Sequence, residues 1–305
     1  MTAFLCKRLI WFVITLWAVL TATFFLVRAA PGGPYTRDRA MPPHVEEQWK
    51  AKYNLDDTVW QQYVDYFYNL AHLDFGMCFK MHDFTVFEVV AAGFPVSASL
   101  GLMALLFAIV LGVAAGIVSA VQRGGIWDLS LMTAATFGIA VPSFVIASVL
   151  IILFVFTWPM FPAAGWGRPI NLVLPAFCLG APYAAYISRL MRTGMLEVLS
   201  QDYIRTAYAK GLSTPSVLRR HALKGAMLPV VSFLGPAVAG ILTGSLVVEK
   251  IFAIPGLGVH LVNAATQNDY TLMQGMVLVY TVLLFSMNTL VDLSYMYIDP
   301  RVELE

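Results

Sequence analysis

Charge is what this sequence has least of. Only 12% of its 305 residues are Asp, Glu, Lys or Arg, about half the share of an average soluble domain, and its apolar content excludes the disordered class. The 19 basic and 18 acidic side chains leave a net charge of +1, so the basic surface that a nucleic-acid partner needs is missing. Cysteine is scarce as well: Cys6 precedes the first apolar run, Cys78 stands in a polar stretch, and Cys178 lies inside an apolar run. No two of them share a compartment, so no disulfide is expected. Spacings of the CxxC or HxxH type are absent, and no metal site is expected. The five histidines, His44, His72, His82, His221 and His260, all fall outside the apolar runs, which takes away the base an intramembrane protease would need. The pattern GxxxxGK[ST] is missing too, so nucleotide hydrolysis is not expected of this chain, and no residue is assigned a catalytic role.

What is present is apolar sequence, 59% of the residues. A bilayer-crossing helix needs about 20 mostly apolar residues, because a rise of ~1.5 Å per residue must cover roughly 30 Å of hydrocarbon. Six runs qualify: 9–27, 96–121, 129–156, 172–195, 227–248 and 272–298. The expected fold is an all-α polytopic membrane protein of about six transmembrane helices. The first run exceeds the about 7–15-residue core of a secretory signal, and Pro31 stands where cleavage would fall, so it reads as a retained anchor. With the N-terminus inside, eleven of the 19 Lys and Arg residues fall on the cytoplasmic side and eight outside. Most of those eight sit in one long segment, where the positive-inside rule is weak. Both termini are therefore expected to be cytoplasmic. The chain divides into a tail with the first transmembrane helix (1–30), an external helical segment (31–95) and a five-helix core (96–305).

The external segment reads as folded. Val45, Trp49 and Tyr53 recur every four residues after Pro42, which predicts a helix over 42–53. A second helix, capped by Asp56 or Asp57, carries Val59, Trp60, Tyr63, Val64, Phe67 and Leu70 on one face. Two readings stay open for that face: a cap on the protein's own helices, or a docking surface for membrane or partner. Within the spans, Ala108, Gly112, Gly116 and Ala120 recur at four-residue spacing, as do Gly240 and Gly244, allowing close helix packing within the chain or against another subunit. Pro142, Pro175, Pro182 and Pro236 predict kinks.

Between the fourth and fifth spans, residues 200–229 read SQDYIRTAYAKGLSTPSVLRRHALKGAMLP. The pattern predicts a first short helix capped by Ser200, presenting Ile204 and Tyr208 and stopped at Gly211. A second, capped by Ser213 or Thr214 with Pro215 in its first turn, ends before Pro229. Helices of about ten residues are marginal alone in water, so the pair must lean on something. Arg205, Lys210, Arg219, Arg220 and Lys224 face a lone Asp202. A positive-inside loop on anionic headgroups accounts for the charge alone, whereas caps, apolar face and glycine stop describe a shaped knob for a socket.

The stretches YIRTAYAKGLS and LRRHALKGAMLPVVS resemble the cytoplasmic loop of ABC importer permeases, in the peptide-handling branch. The likeness continues through FPVSASLG, VPSF, VVEKIFAIPGLG, NDYTLMQG and VDLSYMYIDPRV. The external APGGP, AKYNL and LAHLDFGMCFK are most similar to oligopeptide permeases, with dipeptide, glutathione and nickel permeases close by. The resemblance implies a type I permease fold and an ATPase-coupling loop at 200–226, with Tyr203, Ile204, Arg205, Thr206, Ala207, Tyr208, Ala209, Lys210, Gly211 and Leu212 at its centre. Ala207 and Gly211 take the small positions of the family's loop. Arg205 and Thr206 stand where other branches have an acidic residue and an alanine, and Tyr208 where the family often has arginine. The family implies a homologous second permease, two ATPase subunits that bind ATP and Mg, a periplasmic peptide-binding protein, a peptide substrate and membrane lipids as partners, and a bacterial inner-membrane location. No cofactor is expected in this chain.

Glu249 and Lys250 close the fifth span, where they read as a gate or receptor contact or as interfacial anchors. Pro255, Gly256 and Gly258 follow in an expected tight turn, with Gly256 at a positive φ, grouped with Glu249 as an external gate or receptor contact. Asp292 in the last run reads first as a carboxylate near the cytoplasmic interface, where its charge costs less; it is also the single candidate for the midplane carboxylate of a proton-coupled transporter, the main rival class. A membrane-impermeant thiol reagent is expected to reach Cys78 and spare Cys6.

Overall fold

Each apolar run becomes helix in the computed structural model, which describes residues 2–29, 56–81, 83–243 and 246–298. In chain order the helices are α1 (Thr2–Ala29), α2 (Val59–Ala71), α3 (Val86–Val121), α4 (Ile126–Ala140), α5 (Ser143–Ile151) and α6 (Ile170–Leu199). They continue as α7 (Asp202–Ala209), α8 (Thr214–Ala226), α9 (Leu228–Thr243), α10 (Leu246–Ile251), α11 (Leu257–Gln267) and α12 (Tyr270–Ile298). The helix expected over 42–53 lies outside the described residues, as do Gly244 and the side chain of Asp292. Among the described residues four helices are long and apolar enough to cross a membrane, and two bent pairs bring the candidates to as many as six.

Local chemistry explains where the helices begin. α3 starts about ten residues before the apolar run, because Thr85 and Glu88 form a reciprocal cap. The Thr85 backbone N–H donates to Glu88 Oε2 at 2.8 Å, and the Glu88 N–H donates to Thr85 Oγ1 at 3.2 Å. Thr58 and Gln61 do the same for α2, with the Gln61 N–H donating to Thr58 Oγ1 at 3.3 Å. The cap is therefore Thr58 rather than Asp56 or Asp57. Its hydroxyl sits one residue before the first helical turn, where it can reach a free backbone donor.

The third apolar run is not one tilted span. α4 and α5, which continues as a π-helix (Ile152–Thr157), meet at 111°. Pro142 has no amide proton to donate, and it holds Val141 extended at φ −88°, ψ 125°. By contrast, Pro175 and Pro182 lie inside α6 and Pro236 inside α9, each helix running on past them. α8, whose middle (Leu218–Ala222) is a π-helix, joins α9 at a 53° bend.

The described chain forms two compact units. The first holds residues 1–95 and 256–285. Cys78, Val86, Val89, Leu257, Ala264, Leu272 and Met276 make its core. There α2 lies on α1: Tyr63 and Thr21 hydroxyls are 2.9 Å apart, Phe24 meets Tyr63 edge-on at 5.3 Å, and the Arg28 guanidinium sits 3.5 Å above the Phe24 ring while donating to Gln62 Oε1. Burial raises the Tyr66 phenol well above its usual range. The inner face of α2 is thus Gln62, Tyr63, Tyr66, Phe67 and Leu70, whereas Val59, Trp60 and Val64 point away and stay exposed. The helix caps its own chain.

The second unit holds residues 96–255 and 286–303. Here the small residues of α3 meet α6. A β-carbon at Gly112 would lie 2.7 Å from the Ala184 carbonyl oxygen, and one at Gly116 2.5 Å from Met191 Cβ. On α6, a β-carbon at Gly180 would meet the Ala104 carbonyl oxygen at 2.5 Å. This stripe packs within the chain, and the backbones approach that closely because no side chain stands between them.

Candidate functional site

The hairpin between α6 and α9 is built on the second unit. Met191 and Met195 of α6 form one buried cluster with Ile204 and Ala207 of α7, Val217, Ala222 and Ala226 of α8, and Val230 of α9. At Gly194, α6 and α8 are so close that a β-carbon would sit 2.6 Å from the Ala226 carbonyl oxygen. The short helices therefore lean on the chain's own membrane helix, which supplies the packing that ten residues alone cannot.

Two details differ from the sequence expectation. Ser200 ends α6 instead of opening α7, its hydroxyl donating to the Glu197 carbonyl at 2.7 Å, and Gln201 takes the cap position. The buried pair on α7 is Ile204 with Ala207, an i, i+3 pair, whereas Tyr208 remains 42% exposed. An eight-residue helix leaning on one partner buries only a narrow stripe, and position 208 falls just outside it. Of the two candidates, Ser213 is the cap of α8 and Pro215 lies in its first turn.

The stop at Gly211 is as expected: its φ is +82°, and nothing lies within 4 Å of where a side chain would begin. Tyr203, Arg205, Thr206, Tyr208, Ala209, Lys210 and Gly211 are all on the outside, while Leu212 is half-buried in the cluster. Arg205 approaches Asp202 at 3.6 Å, both fully in the open, a contact of small energetic worth. The exposed surface is thus two tyrosines among cationic side chains.

The second group of expected residues is divided between the two units. Glu249 is fully buried and accepts a hydrogen bond from Ser97 Oγ at 2.6 Å, so it is not a headgroup anchor, although Lys250 beside it is exposed. Its carbonyl accepts from the Ile254 N–H at 2.9 Å, closing the end of α10. The left-handed residue of this turn is Ala253, at φ +48°, and not Gly256, which is extended at φ −95° and caps α11. Glu249 and Pro255 belong to the second unit, Gly256 and Gly258 to the first.

Sequence reasoning passed over a third constellation. Asp128, at the start of α4, is buried and accepts four hydrogen bonds. Arg192 Nε donates to Oδ1 at 2.7 Å and Nη2 to Oδ2 at 2.8 Å, the Gly124 N–H donates to Oδ2 at 2.9 Å, and Ser119 Oγ donates to Oδ1. One carboxylate ties the end of α3, the corner and α4 to α6. The only hint in the sequence is an acidic residue at the mouth of an apolar run; its partner is 64 positions away.

Between α3, α4, α5 and α6 the second unit also has a hollow of about 410 Å³, lined by Phe107, Leu111, Leu131, Phe137 and Phe177 with Ser188 as its one polar side chain. Such a wall offers little to a peptide main chain. Among the described residues no three His, Cys, Asp or Glu side chains gather as a metal site.

Comparison with known proteins gives these features a setting. Residues 108–304 match the family described as binding-protein-dependent transport system inner membrane component. The oligopeptide transport system permease protein OppB of Haemophilus influenzae is 43% identical over 304 residues, 99% of each chain, and that of Salmonella typhimurium is equally similar. The dipeptide transport system permease protein DppB of Bacillus subtilis is 41% identical over 304 residues, covering 100% of this chain and 99% of its own. Among solved structures, an inward-facing MetNI methionine ABC transporter shares the fold at a TM-score of 0.58 and 16% identity, over 69% of this chain and 96% of its own. An amino acid ABC transporter does so at 0.52 and 16%, over 68% and 92%. With the family pattern spanning more than half of the chain and relatives above 40% identity along all of it, this chain belongs to the binding-protein-dependent transport system inner membrane components, the permeases of ABC importers.

Proposed function

We propose that this chain is one of two membrane subunits through which an ATP-driven importer moves oligopeptides across a bacterial inner membrane. Full-length similarity to oligopeptide permeases carries this reading. Its partners are a homologous second permease, two ATPase subunits that bind ATP and Mg, and a periplasmic peptide-binding protein. Both termini lie in the cytoplasm, so the α7–α8 hairpin faces the ATPases. Its exposed Tyr203, Tyr208 and Lys210 dock in a groove of the ATPase, and closure of the ATPase pair pushes on α6 through the buried Ile204 and Ala207. The translocation path runs between the two permeases and holds peptide main chains weakly, since tight binding on the way would slow release.

A dipeptide substrate is the second reading, favoured by the 41% identity to a dipeptide permease. Purified complex in proteoliposomes tests both. Uptake of a labelled oligopeptide is expected to need ATP and to ignore an imposed proton gradient, and competition by dipeptides would reassign the substrate. Gly211→Val puts a β-branched residue at φ +82°, a strain of about 1–3 kcal/mol, without any clash. It is expected to leave the complex assembled and ATP hydrolysis running while uptake falls about fivefold to a hundredfold, because a strain of that size shifts an equilibrium by such a factor. Unchanged uptake would remove the hairpin from the mechanism.

A further inference from the structure

We infer that Asp128, Arg192 and Ser119 form a strut that carries displacement of the hairpin-bearing end of α6 into the α3–α4 corner. They act as positioning residues for transport; the inference rests on the hairpin being the coupling element.

Arg192 lies two turns before the end of α6, between two residues that touch different elements. Met191 packs against Gly116 of α3, and Gly194 against Ala226 of α8. The segment of α6 that meets the hairpin therefore also holds the corner. What it holds the corner with is directional. The rest of the α3–α6 contact is small and apolar, made of Gly112, Gly116, Ala108, Ile187 and Met191, and the hydrophobic attraction in it does not itself set a direction. A fork-to-carboxylate pair does, because both Arg192 nitrogens must stay aligned with both Asp128 oxygens. Gly124 N–H and Ser119 Oγ fasten the same carboxylate to the corner from the other side. Beyond the corner, α4 runs to the 111° bend at Pro142, so an axial shift of α6 becomes a tilt of α4 against α5.

The test uses the complete importer in proteoliposomes and reads peptide uptake per ATP hydrolysed. Arg192→Lys keeps the positive charge and loses the fork. It is expected to lower that ratio about tenfold, the worth of one charged hydrogen bond, through the maximal uptake rate and not through the half-saturating concentration of loaded receptor. Asp128→Asn is expected to behave alike. Ser119→Ala, which leaves the ion pair in place, is the variant to use if the others do not assemble, and it is expected to lower the ratio to a smaller extent. A wild-type ratio in Arg192→Lys, or in Ser119→Ala if only that variant assembles, overturns the strut. Gly211→Val measured alongside separates the two ideas. If it uncouples and Arg192→Lys does not, the strut alone is wrong; if Gly211→Val couples normally, the hairpin reading falls and the strut with it.

Discussion

Gly180 shows how little room single residues have in this chain. A β-carbon there would lie 2.5 Å from the Ala104 carbonyl oxygen, and backbone cannot swing aside as a side chain could. Gly180→Ala is expected to destabilise the second unit by about 1–3 kcal/mol, the usual penalty of overpacking, seen as a lower midpoint in a thermal scan of the detergent-purified chain. Cys78 makes the same point in the first unit. It is wholly buried, and burial, followed by the charges of Asp269 and Glu88, pushes its thiol up to about 12. The expectation that an external reagent labels Cys78 therefore does not suit this structure, since the thiolate is the reactive form. The folded chain keeps this proton above pH 9.0, where the unfolded thiol gives it up, so the contribution to stability is complete below pH 9.0 and is lost as pH rises towards about 12. At pH 8 a maleimide is expected to label Cys78 only after denaturation; rapid labelling of the native chain would contradict its burial.

At the scale of elements, caps and prolines set the boundaries, and burial sets the faces. The Thr85 and Glu88 pair explains why α3 outruns its apolar stretch, and Thr58 and Gln61 explain the start of α2. Both follow a pattern, Thr-x-x-Glu or Thr-x-x-Gln, that is visible in the sequence. Thr58→Ala is expected to cost about 1 kcal/mol locally, measured as faster amide exchange in the first turn of α2 with α1 unaffected. The face of α2 was less legible. Six apolar residues follow Thr58 with a helical period, but the half that turns inward is the one that meets Phe24 and Arg28, and those lie more than 30 positions earlier. The outward position of Tyr208 on α7 has the same cause: a short helix with more apolar residues than its stripe can cover needs its neighbour to choose among them.

For the whole molecule, orientation is the testable quantity. Leu73 is 77% exposed in the segment expected outside, and Cys6 is exposed in the tail expected inside. In intact cells an impermeant thiol reagent is expected to label a Leu73→Cys variant at once and Cys6 only after permeabilisation. The reverse order would invert the membrane topology. Where the apolar spans lie was written in the sequence, because a membrane admits only backbone that satisfies its own hydrogen bonds, and that demand marks each span with an apolar run. The hairpin and its Gly211 stop were equally plain, since a left-handed turn is made by neighbouring residues. What the tertiary structure alone decided is which distant groups meet: Ser97 with Glu249, and Asp128 with Arg192. A buried carboxylate must find a donor, but the sequence says only that it needs one. The donor is named when the helices pack and one of them brings a hydroxyl or guanidinium within hydrogen-bond reach.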